Sequence, residues 1–518
     1  MSDRLLLPAC ALIFLAAVLP VVCGGGSAAL ASPPADRTVN VGGTYYIATT
    51  GIDAPGYGTQ GQPWATITYA LNHVPDASLV LVSPGTYTGN VRLDGNFATG
   101  VTVRSAVPYQ ARLRHNATVV QCFYGQGITL EGFDIAHDGP GAGGLVVQIQ
   151  DLIDEPGGAD TVSRIVIANN VIHDSYNNDL LKVNNGATDI IVRGNMFYNQ
   201  NGSDEHIDIN SVLRVTVEDN VFFNDFEGSG RPNNDDTSSF VLIKDSNGSD
   251  DTNIGSHDIT VRRNVFLNYQ GSTGTYFLCV GEDGMDYYEA TNVLAENNLM
   301  LGNSASVCRA PMGVKGAQHI TFRNNTVAGD LPSLAGAFRL NQEGANLVND
   351  DIRFYNNVWS DPTGTFGQSF GGNNDFSDTP MGETQNWVLD HNAYWNGGSP
   401  IPSDNAELIN YTNDSARLVA NPLLPSLAGL VLPRWNPGTS HFADGSSAIR
   451  DVFVGLVTTY GMPSHGSPLR GAGLGSQRPT DDILGRPRPV GAPDMGCAMI
   501  GKPKTIKQQG PATNQGGG

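Results

Sequence analysis

The sequence is poor in cysteine and in positive charge. Six cysteines in 518 residues rule out a disulfide-dense scaffold. No two of them have C-x-x-C spacing, so no thiolate metal site is suggested. Only 29 Lys+Arg stand against 50 Asp+Glu, a net charge of −21. Nucleic-acid binding needs a basic footprint, so this balance argues against it. There is no Walker motif and no H-E-x-x-H, so no strong local motif names a chemistry. After residue 22 no apolar run approaches the ~20 residues of a membrane span.

What is present begins with an export signal. Arg4 precedes an apolar run from Leu5 to Val22, and Ala29-Leu30-Ala31 fits a cleavage site before Ser32. The expected location is outside the cytoplasm, as a secreted monomer. The competing reading is a lipid anchor through Cys23. Cleavage after Ala31 leaves Cys122, Cys279, Cys308 and Cys497, an even number for which disulfides are allowed, although buried packing suits them better. The 63 Gly and 30 Pro favour turns over long helices.

One pattern recurs along the chain. It reads IVIANNVIHD at Ile165, IIVRGNMFYN at Ile190 and VTVEDNVFFN at Val215, and returns at Ile259, Val293, Ile320, Ile352 and Trp387. The first three starts are 25 residues apart. Apolar residues at i and i+2 mark a strand with one buried face. An Asn follows at i+5: Asn170, Asn195, Asn220, Asn264, Asn298, Asn325, Asn357 and Asn392. Asn tolerates the left-handed backbone of a sharp corner, and stacked every ~4.8 Å its amide can bond to the next coil. A second apolar pair follows, such as Met196-Phe197. A third strand lies between copies: DLLKVNN at Asp179, EHIDINS at Glu205, FVLIKDS at Phe240, YFLCVGED at Tyr276 and AFRLNQ at Ala337. No copy can bury its apolar face alone, so the copies must stack. The fold class expected is all-β, a three-sided right-handed parallel β-helix, with loops bulging at 226–239 and 246–257.

Tyr45-Tyr46-Ile47-Ala48-Thr49-Thr50-Gly51 and Pro84-Gly85-Thr86-Tyr87 resemble the opening of secreted proteins of the pectate-lyase-like superfamily. Between them Ile67, Ala70, Leu71 and Val74 form one face of an amphipathic helix, which in that class plugs the N-terminal end of the coil. The expected organisation is a signal peptide over 1–31, a linker over 32–43 and the solenoid over 44–425. An extension over 426–500 would pack on the coil or close its end, with Ser446 or Ser447 capping a helix. A disordered tail would span 501–518. The resemblance is specific for fold and implies no single activity, because the class includes lyases, hydrolases and non-catalytic proteins.

The chemistry is sought on the third strand. If Leu181, Val183, Ile207, Ile209, Val241 and Ile243 point inward, Lys182, Asp208 and Leu242 form one outward column, extended by Arg339. Asn184, Asn210 and Lys244 form the next, continued by Lys315 and Asn341. The catalytic candidates are Lys182, Lys244, His206 and Arg339. The substrate-binding candidates are Asn184, Asn210 and Lys315. Asp179, Glu205 and Asp208 are the candidate metal ligands, with Ca²⁺ as the cofactor. A lyase acting by β-elimination on a uronate polymer must neutralise the carboxylate and remove the neighbouring proton, and these residue types offer both parts. The alternatives are a glycoside hydrolase using Asp204, Glu205, Asp208 and Asp235 or Asp236, or a non-catalytic carbohydrate-binding surface. A cation pair among the acids favours the lyase over the hydrolase. Glu282, Asp283 and Asp286 read as loop solvation; Tyr287, Tyr288, Trp359, Trp387 and Trp395 read as packing rather than sugar stacking.

Overall fold

The computed structural model describes residues 42–152, 161–202, 204–248, 253–368 and 375–501. The expected signal peptide, the Cys23 anchor and nearly all of the expected tail lie outside these residues. Three sheets of 13, 12 and nine strands run the length of the coil. Every pairing within them is parallel, as in Thr188–Arg193 against Leu213–Glu218. The molecule is a right-handed parallel β-helix. Each coil passes from sheet 1 (Thr188–Arg193) round an Asn corner to sheet 2 (Met196–Tyr198), then by a loop to sheet 3 (Ile207–Asn210). A tight turn returns it to sheet 1.

The asparagine corner differs in detail from the sequence expectation. The left-handed residue is the one before the ladder Asn: Asn169, Asp219, Arg263, Asn297, Asn324, Asn356 and His391 all have φ between 52° and 59°, with Gly194 at 66°. That position makes the corner, which frees the following Asn to bond between coils. Asn195 shows the pattern. Its N–H and Nδ2 both donate to Asn220 Oδ1 at 2.8 and 3.1 Å, and Nδ2 also donates to the Ile167 carbonyl at 2.8 Å. Its Oδ1 accepts from Asn170. No polar atom of the amide is wasted, which is what makes a buried polar stack tolerable. The stack ends on a carboxylate, Asp414 Oδ2, which accepts from Asn392 N at 2.8 Å.

Sheet 2 is apolar on both faces because its outer face is covered. Met196, Tyr198, Val221, Phe223, Val265 and Leu299 pack against the C-terminal extension. There the helix Ile449–Leu456 buries Ile449, Val452, Phe453 and Leu456. Its N-cap is Ala448, without a side-chain cap bond, rather than a serine. The inner faces build one continuous core that includes Leu181, Val183, Ile207, Ile209, Val241 and Ile243. At the N-terminal end the capping helix is short, Ile67–Leu71, with the Thr66 side chain accepting from Tyr69 N. All four described cysteines are buried free thiols; burial raises them, Cys308 and Cys497 to about 12.

Among the described residues, 204–206 and 224–240 precede strands of sheet 3, and 245–248, 253–255 and 281–289 lie between sheet 3 and sheet 1.

Candidate functional site

Register fixes which side chains share the outer face of sheet 3. Gln148, Lys182, Asp208 and Leu242 are ladder neighbours in one column, and Gln150, Asn184, Asn210 and Lys244 in the next. Lys182 Nζ bonds Asp208 Oδ2, with Asp179 Oδ2 at 4.0 Å. Carboxylate oxygens of Asp179, Glu205 and Asp208 all lie within 4.8 Å of one another, and all three residues are buried. The Glu205 N–H donates to Asp179 Oδ1 at 2.8 Å, so one backbone bond locks the two acids together. Asp208 Oδ1 is buried and has no hydrogen-bond partner among the described residues. Lys244 Nζ lies 3.7 Å from Glu282 and 3.4 Å from Asp283.

The electrostatics are frustrated. Burial, then the charge of Asp208, pushes the Asp179 carboxyl up to about 7. Burial, then Asp179 and Asp208, raises Glu205 well above the ordinary range. Burial also raises Asp204. Burial works against the ammonium of Lys182, but Asp208 and Asp179 outweigh it and raise its pKa; Lys244 is raised in the same sense by Asp208 and Glu205. Asp179, Asp204, Glu205, Asp208, Glu282 and Asp283 thus outnumber the cations that compensate them, Lys182 and Lys244, with Lys315 also acting on Glu282. An acidic polymer meets repulsion here unless a further cation is present.

The donor set fits a hard divalent ion. Oxygens on opposite sides of a bound Ca²⁺ are ~5 Å apart, twice the ~2.3–2.6 Å bond length, and 4.8 Å falls within that span. The unpartnered Asp208 Oδ1 supplies a free lone pair.

Other candidates stand elsewhere. His206 is turned into the core, stacked on Phe240 at 4.2 Å and bonded through Nε2 to Asn224 Oδ1 at 3.0 Å. Burial lowers it to about 3, so it is a neutral packing residue out of reach of any substrate. The strand begins one residue later, at Ile207, which is why alternation did not place His206 correctly. Arg339 continues the Lys182 column, but four coils beyond Asp208, ~19 Å away, paired with Asp378 at 2.7 Å. It cannot act on the same bond as Lys182. Lys315 is two coils beyond Lys244 and is held by Glu343 at 2.6 Å. Asn210 is a loop anchor: its Nδ2 donates to Ser246 Oγ and its Oδ1 accepts from Ser246 N. Asn184 keeps a buried Oδ1 without a partner among the described residues.

The sequence reading missed Glu282 and Asp283, which pair with Lys244. It also missed Glu289, whose buried carboxylate accepts from the N–H groups of Glu282, Asp283 and Met285 and from Asn346 Nδ2. Glu289 shapes the loop that presents the pair. The signal available was Gly281 and Gly284 beside a run of acids, which marks a turn rather than plain solvation.

No protein-family model matches the chain, and no curated protein matches it. Solved structures do. Pectate lyase Pel9A is 14% identical over 89% of this chain and 96% of its own, with a TM-score of 0.50. XylC, solved with xylose, is 12% identical over 89% of this chain and 98% of its own, with a TM-score of 0.46. A mannuronic-acid-specific polysaccharide family 6 lyase from human gut microbiota is 14% identical over 75% and 88%, with a TM-score of 0.43. At such identities the likeness speaks to architecture alone. The three stacked parallel sheets and the likeness to Pel9A show that this chain has the parallel β-helix fold of the pectate-lyase-like type.

Proposed function

We propose that this chain is a polysaccharide lyase that cleaves a uronate-containing polymer by β-elimination on the outer face of sheet 3. The observation that carries the reading is a pair of lysines, Lys182 and Lys244, set among buried acids that can hold one hard cation. A hydrolase needs acids on two sides of one bond and no cation between them. Here Asp179, Glu205 and Asp208 form the candidate metal set, and Glu282 and Asp283 pair with Lys244.

Asp179, Glu205 and Asp208 would hold Ca²⁺, which when bound supplies the positive charge that neutralises a uronate carboxylate. Lys182 is held by its bond to Asp208 and is suited to steer the carboxylate. Lys244 makes only longer contacts, at 3.4 and 3.7 Å, and stands two coils away, ~10 Å. It is the better placed to take the proton beside the carboxylate. Its ammonium is held by surrounding negative charge, so compensation of those acids is what lowers its pKa into the working range of a base. Loss of that proton and departure of the glycosidic oxygen leave an unsaturated uronate end.

The test is release of unsaturated ends, followed by ultraviolet absorbance, from a panel of polyuronates and neutral polymers. Lys244→Ala should abolish release from the active polymer. Full activity in both Lys182→Ala and Lys244→Ala would remove the site, and reducing ends from neutral polymers alone would favour the hydrolase.

A further inference from the structure

A second cleft opens on sheet 2, where the cover supplied by the C-terminal extension gives out. Leu301, Ala328, Ser360 and Trp395 are successive ladder neighbours on the outer face. Leu301 and Ala328 lie under the extension. Over Ser360 and Trp395 a cavity of about 350 Å³ lies between the column and residues 421–428, within the ~300–1,000 Å³ of small-ligand sites. Its floor includes Ala328 and Gly329, and one wall is the half-buried indole of Trp395. Unlike Trp359, which is fully buried and donates to the Ala337 carbonyl, Trp395 has no hydrogen-bond partner for its Nε1–H among the described residues.

The polar groups around the indole are similarly free. Asn421 Oδ1 accepts from Leu423 N at 2.8 Å, which leaves its NH₂ unpaired among the described residues. The Ser360 hydroxyl has no partner among them. Asp330 uses one oxygen, accepting from Thr365 Oγ1 at 3.3 Å, and keeps the other free. No Lys or Arg lines the cleft. A pyranose ring has a flat face of C–H groups that suits an indole plane, and an edge of neighbouring hydroxyls that both donate and accept. A carboxylate acceptor beside an amide donor answers that edge. Asp330, with no cation near it in the cleft, repels a uronate.

We infer that this cleft binds one or two rings of a neutral glycan, apart from the acidic groove. Ala328 to Trp395 spans two coils, ~10 Å. Trp395 stands six coils from the strand Met196–Tyr198 that shares a coil with Asp208, ~29 Å along the axis and on another sheet. The site would hold the protein on a mixed polysaccharide matrix while the groove works on the acidic component. The inference does not depend on the lyase reading, since it is read by binding.

The test is calorimetric titration of the intact chain with xylotriose, mannotriose, cellotriose and trigalacturonate, with tryptophan fluorescence as a second readout. Saturable binding of at least one neutral trisaccharide is expected. Trp395→Ala should weaken it roughly tenfold or more, and Asp330→Ala several-fold. Asp330 is exposed, so that variant keeps the fold if Trp395→Ala does not. Both variants should release unsaturated ends from a soluble polyuronate at the wild-type rate. No saturable binding of any neutral trisaccharide would overturn the inference. So would neutral binding unchanged in both variants, or trigalacturonate binding that Trp395→Ala weakens equally.

Discussion

Two buried polar systems run through this coil, and they are built on opposite rules. In the Asn170–Asn392 ladder every amide is neutral and bonded on all sides, from the Phe133 N–H at one end to the Asp414 carboxylate at the other. In the Asp179–Glu205–Asp208 cluster the groups are ionisable, crowded and under-paired, with Asp208 Oδ1 left without a donor. The ladder stabilises the coil and has nothing left over for a ligand. The cluster costs stability and keeps its lone pairs available. A buried polar group without a partner is expensive, and at Asp208 it stands beside two further buried carboxylates, a grouping that suits a bound cation.

The sharpest separation of the two is by activity. Lys244→Ala and Lys182→Ala should each lower uronate cleavage on the order of 10²–10⁴-fold, the range of a lost general base. Lys182→Ala also strips buried Asp208 of its partner, so its thermal midpoint should fall, read on the same samples by scanning calorimetry, and cleavage is compared on the protein still folded. Asn220→Ala should lower stability alone. It removes four bonds, to Asn195, Asn264 and the Val192 carbonyl, and strands their partners. A loss of about 3–5 kcal/mol in denaturant unfolding is expected, while the protein still folded cleaves at the normal rate.

Metal sharpens the contrast next. Ca²⁺ added at ~100 times its dissociation constant should stabilise the wild-type chain by about 2.7 kcal/mol. It should leave Asp208→Asn unaffected. In chelator the sign with pH follows from Asp179. Its folded pKa of about 7 lies above the ordinary 3.8, so the folded state holds the extra proton. That contribution is full below about pH 4 and is lost as pH rises through 7. Asp179→Asn should therefore raise the midpoint of the metal-free protein more at pH 8 than at pH 5.

The smallest effect belongs to His206, buried like a ladder residue but titratable like a cluster residue. Its folded pKa of about 3 lies below the ordinary 6.5. The stability it contributes is present above 6.5 and lost as pH falls towards 3. His206→Phe keeps the stack on Phe240, costs about 1 kcal/mol at neutral pH for the bond to Asn224, and should flatten the acid side of the stability profile. Activity should not change.

The split between what was legible and what was not follows from range. The period-two alternation of Ile190, Val192, Val215 and Val217, the Asn at i+5 and the 25-residue spacing are local, and each coil repeats the same physics. They determined the solenoid, its inward faces and the columns that pair Lys182 with Asp208 and Asn210 with Lys244. They could not say that His206, one residue before its strand, turns inward, because alternation holds only inside the strand. They could not bring Glu282 and Asp283 to Lys244 either. That meeting depends on a loop shaped by Glu289, and nothing in a run of acids tells a solvated loop from a folded one. Nor did they show that the apolar outer face of sheet 2 is sealed by the helix Ile449–Leu456, more than 200 residues from the Met196 strand it covers, and left open over Trp395. The sequence by itself determined the coil, because stacking repeats a short-range pattern. The tertiary structure alone decided which of its polar groups are spent on the coil and which stay free, because that depends on segments far apart in the chain.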